Sequence, residues 1–88
     1  MDEATFRENM KQDGYGDASV IAYEAGHAVD THTHDFGASV LILEGEISVT
    51  LEDRVVTCGP GETFSLEANI PHAESVGADG VRLLACRK

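Results

Sequence analysis

Short apolar runs separated by turn residues make up most of this chain. From residue 18 onward, Val, Ile, Leu and Thr recur in brief clusters, and Gly, Pro, Asn and Asp stand between them. Residues 47–51 alternate between apolar and polar side chains, which predicts a strand with one buried face. Residues 40–43 are all apolar and predict a strand covered on both faces. The pattern of seven or eight short runs therefore predicts an all-β fold, a sandwich or small barrel.

The connections between these runs are predicted to be tight turns. The segments LEGE (residues 43–46) and LEDR (residues 51–54) are expected to bend within about two residues each, as β-hairpins do. The segments CGPGE, EANIP and GADG carry the residue types that turns require. The strand covered on both faces would suit a barrel wall that also forms a subunit interface.

The N-terminal segment has a different pattern. Phe6 and Met10 stand four positions apart among polar residues, which predicts a short amphipathic helix, and the segment DGYGD ends it. We therefore divide the chain into residues 1–16, a short N-terminal helix and lead-in, and residues 17–88, a single β-barrel domain.

Size and charge limit what the domain can do. The core that a chain of 88 residues can form is marginal alone, so a homodimer or a bound ion is expected to stabilise it. Sixteen acidic residues against six basic ones give a formal net charge of −10, which opposes binding to nucleic acid or to an anionic membrane surface. We see no secretory signal pattern, and no apolar run approaches the roughly 20 residues of a membrane span. We expect a cytoplasmic protein that takes a small-molecule ligand or substrate, with Cys58 and Cys86 as buried thiols.

His32 and His34 are the first candidates for chemistry. In an extended strand they point to the same face about 7 Å apart, so two imidazoles could converge on one ion. The tripeptide alone is a weak signal, because a solvated strand end also produces it by chance.

The surrounding glycines and a third histidine strengthen the signal. Gly26 and Gly45 flank the histidine pair, and Gly61 precedes His72, which follows Pro71. These spacings resemble the two motifs of the cupin superfamily, G-x5-H-x-H-x3,4-E-x6-G and G-x5-P-x-G-x2-H-x3-N. The resemblance runs from about residue 20 to residue 85 and implies a compact antiparallel jelly-roll β-barrel. It further implies that His32, His34 and His72 are metal ligands inside that barrel.

The departures from the motifs bear on the chemistry. The glutamate that is usually the fourth ligand falls at position 38, which is Ala38 here, and Ser39 should face the other side of the strand. In the second motif Glu67, Asn69 and Val76 replace the usual proline, glycine and asparagine. Of these, Asn69 suits a turn best, because asparagine tolerates the left-handed conformation.

Three neutral imidazoles would leave a divalent ion with its full charge and open positions for an anionic or chelating substrate. Fe(II), Zn(II), Mn(II) and Ni(II) all remain open as the metal, and no catalytic residue is assigned. The resemblance favours a metal-dependent cupin enzyme of the oxygenase or isomerase type, acting on a small polar or carboxylated molecule. The alternatives are a small-molecule or metal-binding module without turnover and a metal-free structural dimer.

Other residues are weaker candidates. His27 is expected at the rim or surface rather than in the site, and Asp35 could accept a hydrogen bond from an imidazole or cap a turn. Glu44 and Glu46 are expected to be solvated charges at a hairpin tip. An apolar pocket beside the metal is expected to involve five residues: Phe36, Ala38, Val40, Ile42 and Phe64.

Overall fold

The computed structural model describes all 88 residues as one helix followed by six strands. All strand pairs are antiparallel, as the resemblance to the cupin superfamily implies. The elements are α1 (Glu3–Gln12), β1 (Ser19–Tyr23), β2 (Ala28–His32), β3 (Ala38–Thr50), β4 (Val55–Cys58), β5 (Thr63–Leu66) and β6 (His72–Arg87). The helix prediction and the all-β prediction are confirmed.

The two long strands β3 and β6 organise the molecule. They pair with each other along most of their length. The first half of β3 lies in the order β5–β3–β6–β1, and its second half lies in the order β4–β3–β6–β2. Apolar residues from both halves pack in one interior cluster, so the sheet closes around a core as a jelly-roll barrel does.

Two predicted turns are wrong. The segments LEGE and GADG do not end strands, because β3 and β6 continue through them. The pairing of β3 with β6 shifts register on both sides of Gly45. Gly45 and Gly80 have φ of 79° and 75°, so the backbone bends there within the ladder instead of reversing. Glu44 and Glu46 accordingly lie within a bent strand and not at a hairpin tip.

The helix α1 covers the outer face of the barrel wall. Asp2 caps it, accepting a hydrogen bond from the backbone N–H of Thr5 at 2.7 Å. Phe6 is fully buried and packs with Leu41 and Leu84, which point outward from β3 and β6. The apolar run in β3 is thus covered on both faces within one chain, and the homodimer stays a prediction that rests on size.

No helix in the structure has the length and apolar character needed to cross a membrane.

Candidate metal centre

Three histidines meet where β2 ends and β6 begins. His32 is the last residue of β2, His72 is the first residue of β6, and the two are register partners. Pro71 cannot donate a ladder hydrogen bond, which is consistent with β6 starting at the next residue. This pairing brings the His32 and His72 rings side by side, with centroids 4.3 Å apart and ring planes tilted by 53°.

His34 reaches the same point from beyond the end of β2. The sequence predicted both histidines of the pair in one strand, whereas the structure ends the strand at His32. The backbone N–H of Asn69 donates to the carbonyl of His34 at 2.7 Å and holds this loop. Asn69 has φ of 66°, as expected of a residue in the glycine position of a turn. The His34 ring lies 5.3 Å from the His72 ring between centroids.

Backbone carbonyls orient two of the imidazoles. Nδ1 of His32 lies 2.7 Å from the carbonyl oxygen of Asp30, and Nδ1 of His72 lies 2.9 Å from that of Ile70. A carbonyl oxygen only accepts, so each Nδ1 donates its proton and each neutral ring keeps a lone pair on Nε2. Metal-binding imidazoles are held in the same way, by a hydrogen bond from the other ring nitrogen.

The nitrogen spacing fits a single ion. Nε2 of His32 lies 3.2 Å from Nε2 of His34. Two nitrogens that bind one ion at 90–110° with bonds of 2.0–2.1 Å lie about 2.9–3.4 Å apart. One ligand atom from each of His32, His34 and His72 lies within 4.8 Å of the others. The residues present therefore fit a transition metal held by three imidazoles.

The surroundings keep His34 in the form that binds metal. Burial lowers the pKa of His34 below its usual value, and the neighbouring His32 and His72 lower it further. Metal ions bind the neutral imidazole, so a lowered pKa reduces the competition from protons.

A cavity of about 410 Å³ opens beside the three histidines. This volume suits a small ligand, and the wall is mostly apolar, as in typical small-molecule sites. Four of the five residues predicted for the pocket line it: Phe36, Ala38, Val40 and Phe64. The expectation for Ile42 is wrong, because Ile42 is 1% exposed and packs in the interior cluster with Ile47 and Leu83, where side chains fill the barrel.

Ala38 and Ser39 lie where the sequence analysis placed them. Ala38 is on the cavity wall and supplies no ligand atom. Ser39 is buried on the other face of β3, where its hydroxyl hydrogen-bonds the hydroxyl of Ser65 at 2.8 Å. Neither residue replaces the missing glutamate.

The two weaker candidates do not join the site. His27 lies between β1 and β2, is exposed, and stacks on Tyr23 with ring centroids 4.6 Å apart. Asp35 is exposed and makes no hydrogen bond to an imidazole, so the suggestion that it orients a ligand is wrong. Backbone carbonyls perform that task instead.

The cavity also holds a carboxylate, Glu74, that was not among the site residues predicted from the sequence. Glu74 lines the cavity, its side chain is 24% exposed, and its Oε1 lies 3.7 Å from Nε2 of His72. A signal was available, since His72 and Glu74 are spaced as His32 and His34 are, and alternate residues of a strand share a face.

Arg87 is the second residue missed. It also lines the cavity, and its guanidinium lies 4.3 Å from the centroid of the Phe36 ring, within cation–π range. Phe36 in turn stacks on the ring of His34, with centroids 4.8 Å apart. No carboxylate forms an ion pair with Arg87. The cavity thus carries a positive group next to the three histidines.

Comparison with known proteins identifies the family. The family model described as "Cupin domain" matches residues 19–85, which is most of the chain. The chain therefore belongs to the cupin family. No curated protein matches it.

Solved structures agree on the fold. A cupin superfamily protein from Desulfitobacterium hafniense has a TM-score of 0.69 and 23% identity, over 80% of this chain and 63% of that one. The polyketide cyclase RemF from Streptomyces resistomycificus has a TM-score of 0.71 and 23% identity, over 88% of this chain and 58% of that one. An oxalate decarboxylase from Bacillus subtilis, described with Mn(II) centres, has a TM-score of 0.72 and 18% identity, over 81% of this chain and 20% of that one. This chain spans less than two thirds of each of these structures.

Proposed function

We propose that this protein is a small metal-dependent cupin enzyme, of the oxygenase or isomerase type, that acts on a small carboxylated molecule. The observation that carries the proposal is the convergence of His32, His34 and His72, with two of the three rings oriented by backbone carbonyls. A divalent transition metal held there would act as a Lewis acid on a substrate oxygen. Fe(II), Zn(II) and Ni(II) suit imidazole ligands, and the described Mn(II) centres of the oxalate decarboxylase are the reason for including Mn(II) among the metals tested.

The cavity supports the substrate class. Apolar side chains from β3 and β5, including Val40 and Phe64, would exclude water from a bound molecule. Arg87 would bind a substrate carboxylate through its guanidinium, because no protein carboxylate competes for it. Phe36 would hold that guanidinium in place by stacking beneath it. Arg87 is the one Lys or Arg side chain in the cavity wall of a chain with a net charge of −10, which favours an anionic ligand there.

Metal content is the first test of the proposal. The protein would be purified without an affinity tag or added metal, beside the His32→Ala, His34→Ala and His72→Ala variants, and all four analysed before and after reconstitution. We expect close to one equivalent in the unsubstituted protein and a strong loss in each variant. Less than about a tenth of an equivalent in every sample, including after reconstitution, would contradict the metal site.

Turnover and substrate class need a second test. The protein would be loaded with Fe(II) without air and mixed with a panel of diketones, thiols and hydroxy acids. Oxygen would then be added and its uptake followed. In parallel, the Zn(II) and Mn(II) forms would be assayed for isomerised products. We expect turnover of carboxylated compounds, and a raised KM for them in Arg87→Met. Arg82→Met provides the matched control, because Arg82 pairs with Glu44 away from the cavity.

A binding module without turnover is the second candidate function. Ala38 favours it, because the position usual for the cupin carboxylate offers no proton-transferring group. Ligand binding to the metal-loaded protein without any product or oxygen uptake would support this alternative over the enzyme.

A further inference from the structure

We propose that Glu74 is the fourth protein ligand of the metal, so that a carboxylate from β6 takes the place that Ala38 leaves empty on β3. The inference rests on the proposed metal site and deepens it. It changes the predicted donor set from three imidazoles to three imidazoles and one carboxylate.

The strand geometry directs Glu74 into the site. Glu74 follows His72 by two positions in β6, so both side chains point to the same face of the strand. That face lines the cavity, and both residues are in its wall. The Oε1 atom of Glu74 lies 3.7 Å from Nε2 of His72. Two donors on one ion with bonds near 2.1 Å lie about 3 Å apart as neighbours and about 4 Å apart on opposite sides. The observed separation from His72 falls inside this range, and on binding the Glu74 side chain would turn further toward His32 and His34, because only the three histidines have ligand atoms within 4.8 Å of one another.

The carboxylate has no other partner. The register neighbours of Glu74 are Val29 on β2 and Val49 on β3, and both are apolar. No lysine or arginine pairs with it, and it accepts no hydrogen bond. A carboxylate that is about three quarters buried among apolar side chains is costly unless a cation or a donor satisfies it.

The hydrogen bond made by Nδ1 of His72 determines what its other ring nitrogen presents to Glu74. Because Nδ1 of His72 donates to the carbonyl of Ile70, the neutral ring presents a lone pair on Nε2 toward Glu74. Two acceptors then face each other without a hydrogen between them. A metal ion bound by both atoms removes this conflict. The competing explanation is a simple ion pair between Glu74 and a doubly protonated His72, which would compete with metal binding by that ring.

A fourth ligand of this type also suits the charge of the site. Three neutral imidazoles leave the ion with a charge of +2, and one carboxylate reduces it to +1. Oxygen donors favour Mn(II) and other hard ions, whereas a site made only of imidazoles favours Ni(II) and Zn(II). The loss of Glu74 should therefore change metal preference as well as affinity.

The test is a titration of the metal-stripped full chain with Mn(II) and with Ni(II), by calorimetry, with EPR spectra of the Mn(II) form. We expect Glu74→Gln to weaken Mn(II) binding at least about tenfold and Ni(II) binding less, and to alter the EPR spectrum. The matched control is Glu67→Gln, because Glu67 reaches the cavity rim but makes no contact with a histidine; its Mn(II) affinity should stay within about twofold. Thermal unfolding without metal would establish that both variants fold.

A rescue variant separates ligation from a structural role. Ala38→Glu combined with Glu74→Gln returns a carboxylate to the usual cupin position, and we expect it to recover most of the lost Mn(II) affinity. Equal Mn(II) affinity and an unchanged EPR spectrum in Glu74→Gln would overturn the role of Glu74 while leaving the histidine site intact. Tighter metal binding in Glu74→Gln would instead favour the ion pair with His72. Absence of any metal binding by the unsubstituted protein would overturn the histidine site itself.

Discussion

Gly45 and Gly80 lie in direct backbone contact where β3 and β6 bend together. A Cβ atom added to Gly45 would overlap the carbonyl oxygen of Gly80. Both glycines have positive φ, so each also provides a conformation that other residues rarely adopt. The contact brings the two halves of the sheet together over one core. The cavity beside the metal centre depends on that closure, because it is lined by residues of both β2 and β5, which attach to opposite ends of these strands.

A pair of glycine variants separates steric overlap from backbone conformation. Gly45→Ala should abolish folding or lower the free energy of unfolding by well over 3 kcal/mol, since it adds a backbone clash to the cost of about 1–3 kcal/mol for the conformation itself. Gly26→Ala is the control, because Gly26 has φ of 76° but open space around its added Cβ, so only the conformational cost applies. Urea unfolding measures both. Equal losses in the two variants would show that the contact with Gly80 does not matter.

The helix contributes to stability through one side chain. Phe6 is fully buried between α1 and the outer face of the barrel. We therefore expect Phe6→Ala to lower the free energy of unfolding by about 3–5 kcal/mol. Val55→Ala, at a position 60% exposed, should stay within about 0.5 kcal/mol. Both values come from denaturant unfolding. A loss below about 1 kcal/mol for Phe6→Ala would mean that α1 is not docked in solution.

The hydroxyl pair between β3 and β5 predicts an asymmetric result. Ser39 is 1% exposed and Ser65 is exposed, and their hydroxyls are hydrogen-bonded. Ser65→Ala leaves the buried hydroxyl of Ser39 without this partner and should cost about 1–3 kcal/mol. The double variant Ser39→Ala/Ser65→Ala should be more stable than Ser65→Ala alone, because it also removes the buried hydroxyl that lacks a hydrogen-bond partner in the single variant. A double variant with simply additive losses would contradict this account.

The two cysteines should be unreactive in the folded protein. Burial raises the pKa of both thiols, and Glu62 raises that of Cys58 further, so less thiolate is present at any given pH. Thiol titration at pH 8 should show modification at least about a hundredfold slower in the folded state than in urea, where both cysteines react. One thiol equivalent that reacts at once without denaturant would contradict the buried placement.

Some features were predictable because they depend on local pattern. Apolar runs between turn residues predicted the strands, and the resemblance of the motif spacings to those of cupins predicted that His72 lies beside His32 and His34, although it is far from them in the sequence. The failed predictions concern bends. Glycine signals both a turn and a bend within a strand, and at Gly45 and Gly80 only the pairing of β3 with β6 decides between them.

Contacts between strands, which the sequence pattern does not specify, also explain the errors at the site. Ile42 has the alternation of a cavity residue, but the side chains opposite it fill the barrel at that depth. Conversely, Glu74 and Arg87 stand outside the matched histidine and glycine positions, and they reach the cavity because β6 runs the full length of its wall.

The amino-acid sequence by itself determined the class of fold, the three histidines and the absence of a glutamate at position 38. These depend on residue identity and spacing along the chain. The tertiary structure alone decided which carboxylate and which cation stand beside the histidines. Proximity across β2, β3 and β6 is a property of strand register and bending, and neither is encoded in the spacing of a single motif.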